Sequence, residues 1–242
     1  METNIEKQME FPEKGRRGFI KQGLVVSLSG VAGFSMFEGC KDKSEKDEGQ
    51  KVTPAEDLMQ EHGLLNRVLL IYDKCRASLV NKETFPKNAL GNAAGIIRIF
   101  VEDFHEKHEE NYLFPRFQKA NTLTDLVDVL LQQHKAGRTI TDRIIQLTKT
   151  TTTTENENQK LIKLLSDFNT MYRPHEARED TILFPAFRKI ISSHEYDSLG
   201  EEFEKDEEKI FGKNGFESLI NKVETIEKSI GIYALSKFTP IS

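Results

Sequence analysis

Cysteine is nearly absent from this chain: of two in 242 residues, Cys40 lies in a leader-like segment and Cys75 stands alone in the remainder. No internal disulfide can staple the folded part, which must stand on packing and on any metal it holds. Cys75 follows His62 by 13 residues, about 220° around a helix, so it faces away from that side chain and reads as a buried apolar filler. The alternation of apolar and polar residues that marks a half-buried strand is also missing, which excludes a sheet as the framework. No basic stripe occurs beyond the first segment, and the formal net charge is −5; a nucleic-acid partner is not expected. The long apolar run of a membrane span is missing too. Residues 24–37 are apolar over about 14 positions, against the ~20 that a span needs. What remains is 37% hydrophobic and 30% charged, enough to build one sizeable core with appendages.

The feature that is present in strength is a near-repeat. HEKHEENYLFPRF at 105–117 returns as HEAREDTILFPAF at 175–187, with seven of thirteen positions identical, including a His and a Glu four residues apart. Four residues turn a helix through about 400° and advance it ~6 Å, so His105 and Glu109, and likewise His175 and Glu179, share a face one turn apart. A single histidine precedes each phrase: His62 by 43 residues and His134 by 41. A His…His-x3-Glu frame that occurs twice points to duplicated ligands. Imidazole suits iron, copper and zinc, and a carboxylate can bridge two ions. Four imidazoles and two carboxylates suit a pair of metals roughly 3.5–4 Å apart.

Around this frame the pattern predicts an all-α fold, an up-down-up-down four-helix bundle with short additional C-terminal helices. Thr53-Pro54-Ala55-Glu56 is a capping box that starts the first helix, with Leu58, Met59, His62, Leu65, Leu69 and Tyr72 at helical spacing up to about Val80. A second helix is expected from about Asn88 to Lys119. A third is capped by Thr122 or Thr124 and runs through His134 to Ile144. The run from Thr148 to Asn158 reads as a polar loop, and a fourth helix as spanning Gln159 to Ser193. Two further helices are expected at Glu195–Ile210 and Phe216–Ile230, then an irregular tail. The organisation is 1–40 leader, 41–52 polar linker, 53–193 bundle and 194–242 C-terminal helical extension packed on the bundle. Pro115, Pro174 and Pro185 fall inside the ligand-bearing helices, where each removes a backbone hydrogen bond and is expected to bend the axis.

The order His, His-x3-Glu, His, His-x3-Glu, with Leu-Phe-Pro after each pair, resembles the hemerythrin-like HHE cation-binding family over roughly residues 54–190. The resemblance implies a non-haem di-iron centre held by His62, His105, Glu109, His134, His175 and Glu179, with Glu109 and Glu179 as the bridging carboxylates. Phe211-Gly212 through Phe238-Thr239-Pro240 is also similar to the tail of bacterial members. One departure and one match bear on function. Oxygen-carrying members place a second histidine four residues after the one on the third helix; here that position is Arg138, a permanent cation that cannot ligate. Carriers also have an Asp five residues after the last histidine, and Asp180 stands there, so Glu179 and Asp180 both remain candidates. Of the other groups, His108 reads as a surface or outer-layer residue or as a further ligand, and His194 as solvated. Glu106 and Glu176 read as exposed charges or as a third carboxylate ligand, and Tyr112 and Tyr172 as pocket-lining or packing residues.

The first 40 residues read as an export leader. Arg16-Arg17-Gly18-Phe19-Ile20-Lys21 resembles the twin-arginine signal, followed by the weakly apolar stretch such signals use. Gly39-Cys40 resembles a lipobox, so membrane attachment through lipid on Cys40 or through an uncleaved leader is an expectation, with the folded part in the periplasm or cell envelope. The expected function is a di-iron protein that binds or reduces a small oxidant (oxygen, peroxide or nitric oxide). A non-catalytic oxygen- or iron-binding sensor or storage module, and a zinc-filled structural bundle, are the competing classes. No protein partner is legible.

Overall fold

Two local signals start two of the four long helices. The computed structural model describes residues 52–84, 87–150 and 154–240; Arg16, Arg17, Cys40 and the linker up to Lys51 lie outside the described residues. Helix α1, Pro54–Val80, opens with the expected capping box. The Glu56 N–H donates to Thr53 Oγ1 at 3.3 Å and the Thr53 N–H to Glu56 Oε2 at 2.9 Å, which satisfies two donors that a helix start otherwise leaves orphaned. Helix α2 covers residues 87–120, α3 is Thr124–Thr148 and α4 covers residues 155–190. Beyond them lie α5, Ser193–Phe211, α6, Gly215–Ser229, and a 3₁₀ turn at Leu235–Phe238. Among the described residues there is no strand, and no helix is long and apolar enough to cross a membrane.

Helix starts depart from expectation twice. The α4 helix begins at Glu155, inside the stretch read as loop, because Thr154 and Glu157 form a second capping box. The Thr154 N–H donates to Glu157 Oε2 at 2.7 Å. The polarity of residues 155–158 marks a solvated first turn rather than a break. Neither Thr122 nor Thr124 caps α3: the cap position is Leu123, in the left-handed region at φ 51°, and no side chain caps it. With Asn121 also left-handed at φ 50°, the chain reverses within three residues, and Thr122 Oγ1 donates back to the Ala120 carbonyl instead.

Prolines 115 and 185 are met by wide turns. Glu109–Leu113 and Glu179–Leu183 are π-helical, with the Phe114 and Phe184 N–H groups donating five residues back to Glu109 and Glu179. A π turn carries one residue more than an α turn. It gives room for the proline ring that follows and re-phases Leu113-Phe114 and Leu183-Phe184 relative to the ligand pairs. A longer π segment, Ile97–His105, precedes the first pair. The expected bend thus takes the form of a local widening that begins at the candidate ligand itself, while Pro174 lies within the α-helical Glu155–Arg178 segment.

Each long helix packs on its two sequence neighbours, α1 on α2, α2 on α3, α3 on α4 and α4 back on α1, which is the four-helix ring of an up-down-up-down bundle. The bundle holds two separate apolar clusters. One gathers Leu65, Leu69, Phe100, Phe104, Ile144, Phe168 and Tyr172; the other Leu58, Leu113, Phe114, Leu130, Leu183, Phe184 and Phe187. On every helix the candidate ligands fall between the two, as His62 does between Leu58 and Leu65. Helices α5 and α6 complete the clusters with Leu199 and Phe203, and with Leu219 and Val223. The Arg67 guanidinium clasps Glu227 through two hydrogen bonds, 2.9 and 2.5 Å, and so fixes α6 to α1. Cys75 is buried in the first cluster, and burial pushes its thiol up to about 12.

Candidate metal centre

Between the two apolar clusters, six buried side chains converge. His62 and His105 bring their Nε2 atoms to 3.1 Å of each other, and His134 and His175 bring theirs to 3.3 Å. The carboxylates lie between the pairs. Glu109 places Oε1 3.8 Å from His105 Nε2 and Oε2 3.5 Å from His134 Nε2. Glu179 places Oε2 3.4 Å from His62 Nε2 and Oε1 3.1 Å from His175 Nε2. Each carboxylate therefore turns one oxygen to each histidine pair. Two groups that could hold a cation result, His62, His105, Glu109, Glu179 and Glu109, His134, His175, Glu179, with donor atoms within 4.8 Å in each; a third such group, Glu106, Glu110 and His134, adjoins the second.

The donor set fits metal better than it fits the chain alone. All four oxygens of Glu109 and Glu179 are buried without a hydrogen bond, a costly arrangement for two facing carboxylates. Burial and the facing Glu179 push the Glu109 carboxyl up, while His175 and His62 overcome burial and hold Glu179 down. Facing imidazole nitrogens with no proton between them also repel. In the metal-free chain a proton serves at His62, where Asp180 and Glu179 outweigh burial and raise it to about 10. Burial instead lowers His134 to about 4. A divalent cation held by these groups would answer all of these at once.

Every Nδ1 points outward to an oxygen. His62 meets Asp180 at 2.8 Å, His105 meets Glu61 at 2.7 Å, His134 meets Glu110 at 3.1 Å and His175 meets the Gln133 amide oxygen at 2.8 Å. Such acceptors keep the proton on Nδ1 and leave the Nε2 lone pair for a metal. Each partner comes from the preceding helix around the ring, with α4 serving α1, and each is the residue directly before or after a candidate ligand. The sequence reading missed Glu61, Glu110 and Gln133 in this role. Their adjacency to His62, Glu109 and His134 was the available signal: one step along a helix turns about 100°, away from the centre and toward the neighbouring helix. Of the two candidates after His175, the structure brings Glu179 to the centre and Asp180 behind His62.

The other expectations are met in part. Glu106 and Glu176 are buried, not exposed. Glu106 accepts from the Tyr172 hydroxyl at 2.6 Å and from Arg138 at 2.6 Å, and burial raises it to about 8. Glu176, also raised to about 8 by burial, accepts from Asn66 at 2.5 Å. His108 is buried outside the centre, stacked 4.1 Å from the Phe203 ring of α5 with Nε2 3.6 Å from Asp206. Tyr172 is buried beside His175, whereas Tyr112 reaches outward to Glu202. His194 is exposed.

Close packing at Gly137 holds part of this arrangement. A β-carbon there would lie 2.2 Å from the Tyr172 hydroxyl and 2.9 Å from its ring. The ring cannot retreat, being stacked on Phe168 at 4.3 Å. Gly137→Ala is expected to destabilise the fold by about 1–2 kcal/mol, the overpacking cost less the helix propensity gained. Chemical denaturation should show it, and a rise in stability would refute the assigned contact.

The Leu-Phe-Pro elements close one side. Phe184 stacks on the His62 ring and Phe114 on the His134 ring, each at 5.6 Å between centroids. The hemerythrin HHE cation binding domain matches residues 53–187, the whole of this bundle frame. The chain belongs to the hemerythrin HHE family. Similar full-length relatives occur in mycobacteria. The uncharacterized protein Rv1995 of Mycobacterium tuberculosis and the uncharacterized protein Mb2018 of Mycobacterium bovis are each 39% identical over 98% of this chain and 96% of their own. No solved structure matches the chain. As a hemerythrin HHE protein it is a cation-binding protein with a His/Glu cluster able to hold metal.

Proposed function

We propose that this HHE protein is an exported, non-haem di-iron protein that binds or reduces a small oxidant such as oxygen, peroxide or nitric oxide. The observation that carries the reading is the crossed placement of Glu109 and Glu179, each with one oxygen toward each histidine pair. His62, His105, Glu109 and Glu179 would hold one iron, and His134, His175 and the same carboxylates the other. Bound iron would supply redox electrons and coordination positions open to a small molecule.

The chain's own groups shape what could react there. Arg138, at the position where carriers have another imidazole, is engaged by Glu106 and Glu110, with Nη2 2.6 Å from an oxygen of each. Each position then has two imidazoles and a share of two carboxylates, which leaves room for a ligand. Phe114 and Phe184 exclude water on one side, and Tyr172 with Glu106 on the other offers a hydroxyl and a carboxyl able to hold a proton. Such a set favours turnover of the oxidant over long storage of an oxygen adduct.

Stopped-flow mixing of the reduced, iron-loaded protein with oxygen and with peroxide tests this. Conversion to the oxidised form within seconds, with peroxide consumed, is expected. A reversible oxygen complex that persists for minutes would instead establish a carrier or sensor, and zinc without iron in protein from the native host would establish a structural bundle. Export is tested separately: Arg16→Lys with Arg17→Lys should trap full-length precursor in the cytoplasm, since the pair is read as an address and not as charge. Normal delivery of that variant to the envelope would remove the twin-arginine reading.

A further inference from the structure

The two halves of the centre match in their inner side chains and differ behind them. Glu61 and Gln133 hold equivalent places, each directly before the lone histidine of its half and each accepting the Nδ1 proton of the next helix's histidine, His105 at 2.7 Å and His175 at 2.8 Å. One is a carboxylate and the other a neutral amide. Asp180 and Glu110 are the second matched pair, behind His62 and His134. Glu110 also accepts from Arg138 at 2.6 Å and from Lys107 at 2.5 Å, so its charge is divided between two cations and an imidazole.

We propose that the two metal positions are unequal: the one at His62 and His105 binds its ion the more tightly and fills first, because both of its imidazoles are backed by carboxylates. This rests on the two-metal reading above. A carboxylate behind Nδ1–H draws the proton outward and enriches the electron pair on Nε2, which strengthens the bond to a cation; an amide does so far less. At the His134 and His175 position one imidazole has the amide and the other a carboxylate neutralised by its neighbours. Arg138, a permanent cation, also pairs with Glu110, the carboxylate behind His134, as well as with Glu106. The bridging carboxylates cancel from the comparison, since Glu109 and Glu179 each serve both positions. The half facing Gln133 is thus the one whose ion is held less firmly and exchanged more readily.

Titration of the metal-free full chain with Co(II), followed by calorimetry and by the visible absorption of the bound ion, tests the proposal. Wild type should take up two equivalents in two steps at least about tenfold apart in affinity, the usual lower effect of an outer partner on a metal site. Glu61→Gln should weaken the first step by about 10–100-fold and merge the two. The reciprocal Gln133→Glu should tighten the second step and leave the first in place. His62→Ala should remove the tight step, which assigns it. Two indistinguishable steps in wild type, or a Glu61→Gln titration that overlays the wild type, overturns the inequality while the two-metal reading stands. Saturation at one equivalent or fewer overturns the two-metal reading and the inequality together, so stoichiometry and step separation tell the failures apart. Both isosteric exchanges keep size and shape, and circular dichroism confirms that each variant is folded.

Discussion

Alanine in place of His105 or His175 is expected to lower the metal content of the centre sharply. Each position has only two imidazoles, and removing one leaves a single nitrogen with two shared carboxylates. Loss of an outer partner alone typically costs about 10–100-fold in metal affinity, so loss of an inner donor should exceed about 100-fold. The iron content of purified protein should fall from near two per chain to about one or fewer in either variant. Stability should fall with it: a metal present at a hundred times its dissociation constant contributes about 2.7 kcal/mol that the variant forfeits. At about 2–4 °C per kcal/mol for a chain of this size, Tm should drop by roughly 5–10 °C. His194→Ala is the control, since His194 is exposed. Equal iron in all three variants would dismiss the ligand assignment.

The second large effect is expected at Arg138 and does not require metal. Its guanidinium is the shared partner of Glu106, 1% exposed, and of Glu110. Arg138→Met keeps the side-chain length but takes the guanidinium from Glu106, which keeps the Tyr172 hydroxyl, and one of two cations from Glu110, which keeps Lys107. Breaking a buried pair from one side costs about 3–5 kcal/mol, and the partial exposure of Arg138 places this one near the lower figure. Thermal denaturation of the metal-free protein should show Tm lowered by roughly 6–12 °C. The deficit should also depend on pH. Glu106 titrates at about 8, raised by burial against the pull of Tyr172 and Arg138. Arg138 stabilises only its ionised form, so the deficit should widen as pH rises through about 8. Below that, Glu106 is protonated and the Glu110 share remains, because His134, Lys107 and Arg138 hold Glu110 at about 2 against burial. The exposed pair of Lys163 and Asp167 is the contrast, and Lys163→Met should change stability by less than about 1 kcal/mol. A Tm for Arg138→Met within a degree of wild type would show that the guanidinium is not what holds Glu106 and Glu110.

How far the centre was legible can be followed along α2. His105 and Glu109 share a face by helical pitch alone, and the same holds for His175 and Glu179. These relations are local, and one turn of helix enforces them. The lone histidines were legible through repetition, because His62 and His134 stand at nearly the same distance before their phrases. Glu106 was not legible: one residue from His105, it carries the same side chain as any solvated glutamate. Its burial depends on Tyr172 and Arg138, which arrive from α4 and α3. For His108 the sequence left a surface and an outer-layer place open, and α5, which covers it with Phe203, chose the outer layer.

The capping boxes, the helical periods, the paired phrases and the missing imidazole at Arg138 all belong to the sequence, because each depends on residues within a turn or two or on the repeat itself. They determined an all-α bundle with a doubled His/Glu frame. The tertiary structure decided the rest: which carboxylates lie between the two histidine pairs, that Asp180 stands behind His62 while Glu179 enters the centre, and which residue backs each Nδ1. The physical reason is reach. A helix fixes directions only along its own axis, whereas the pairings of His105 with Glu61 and of His175 with Gln133 join side chains 44 and 42 residues apart. Only the rotation of each helix about its axis, set by packing of the two apolar clusters, could choose them.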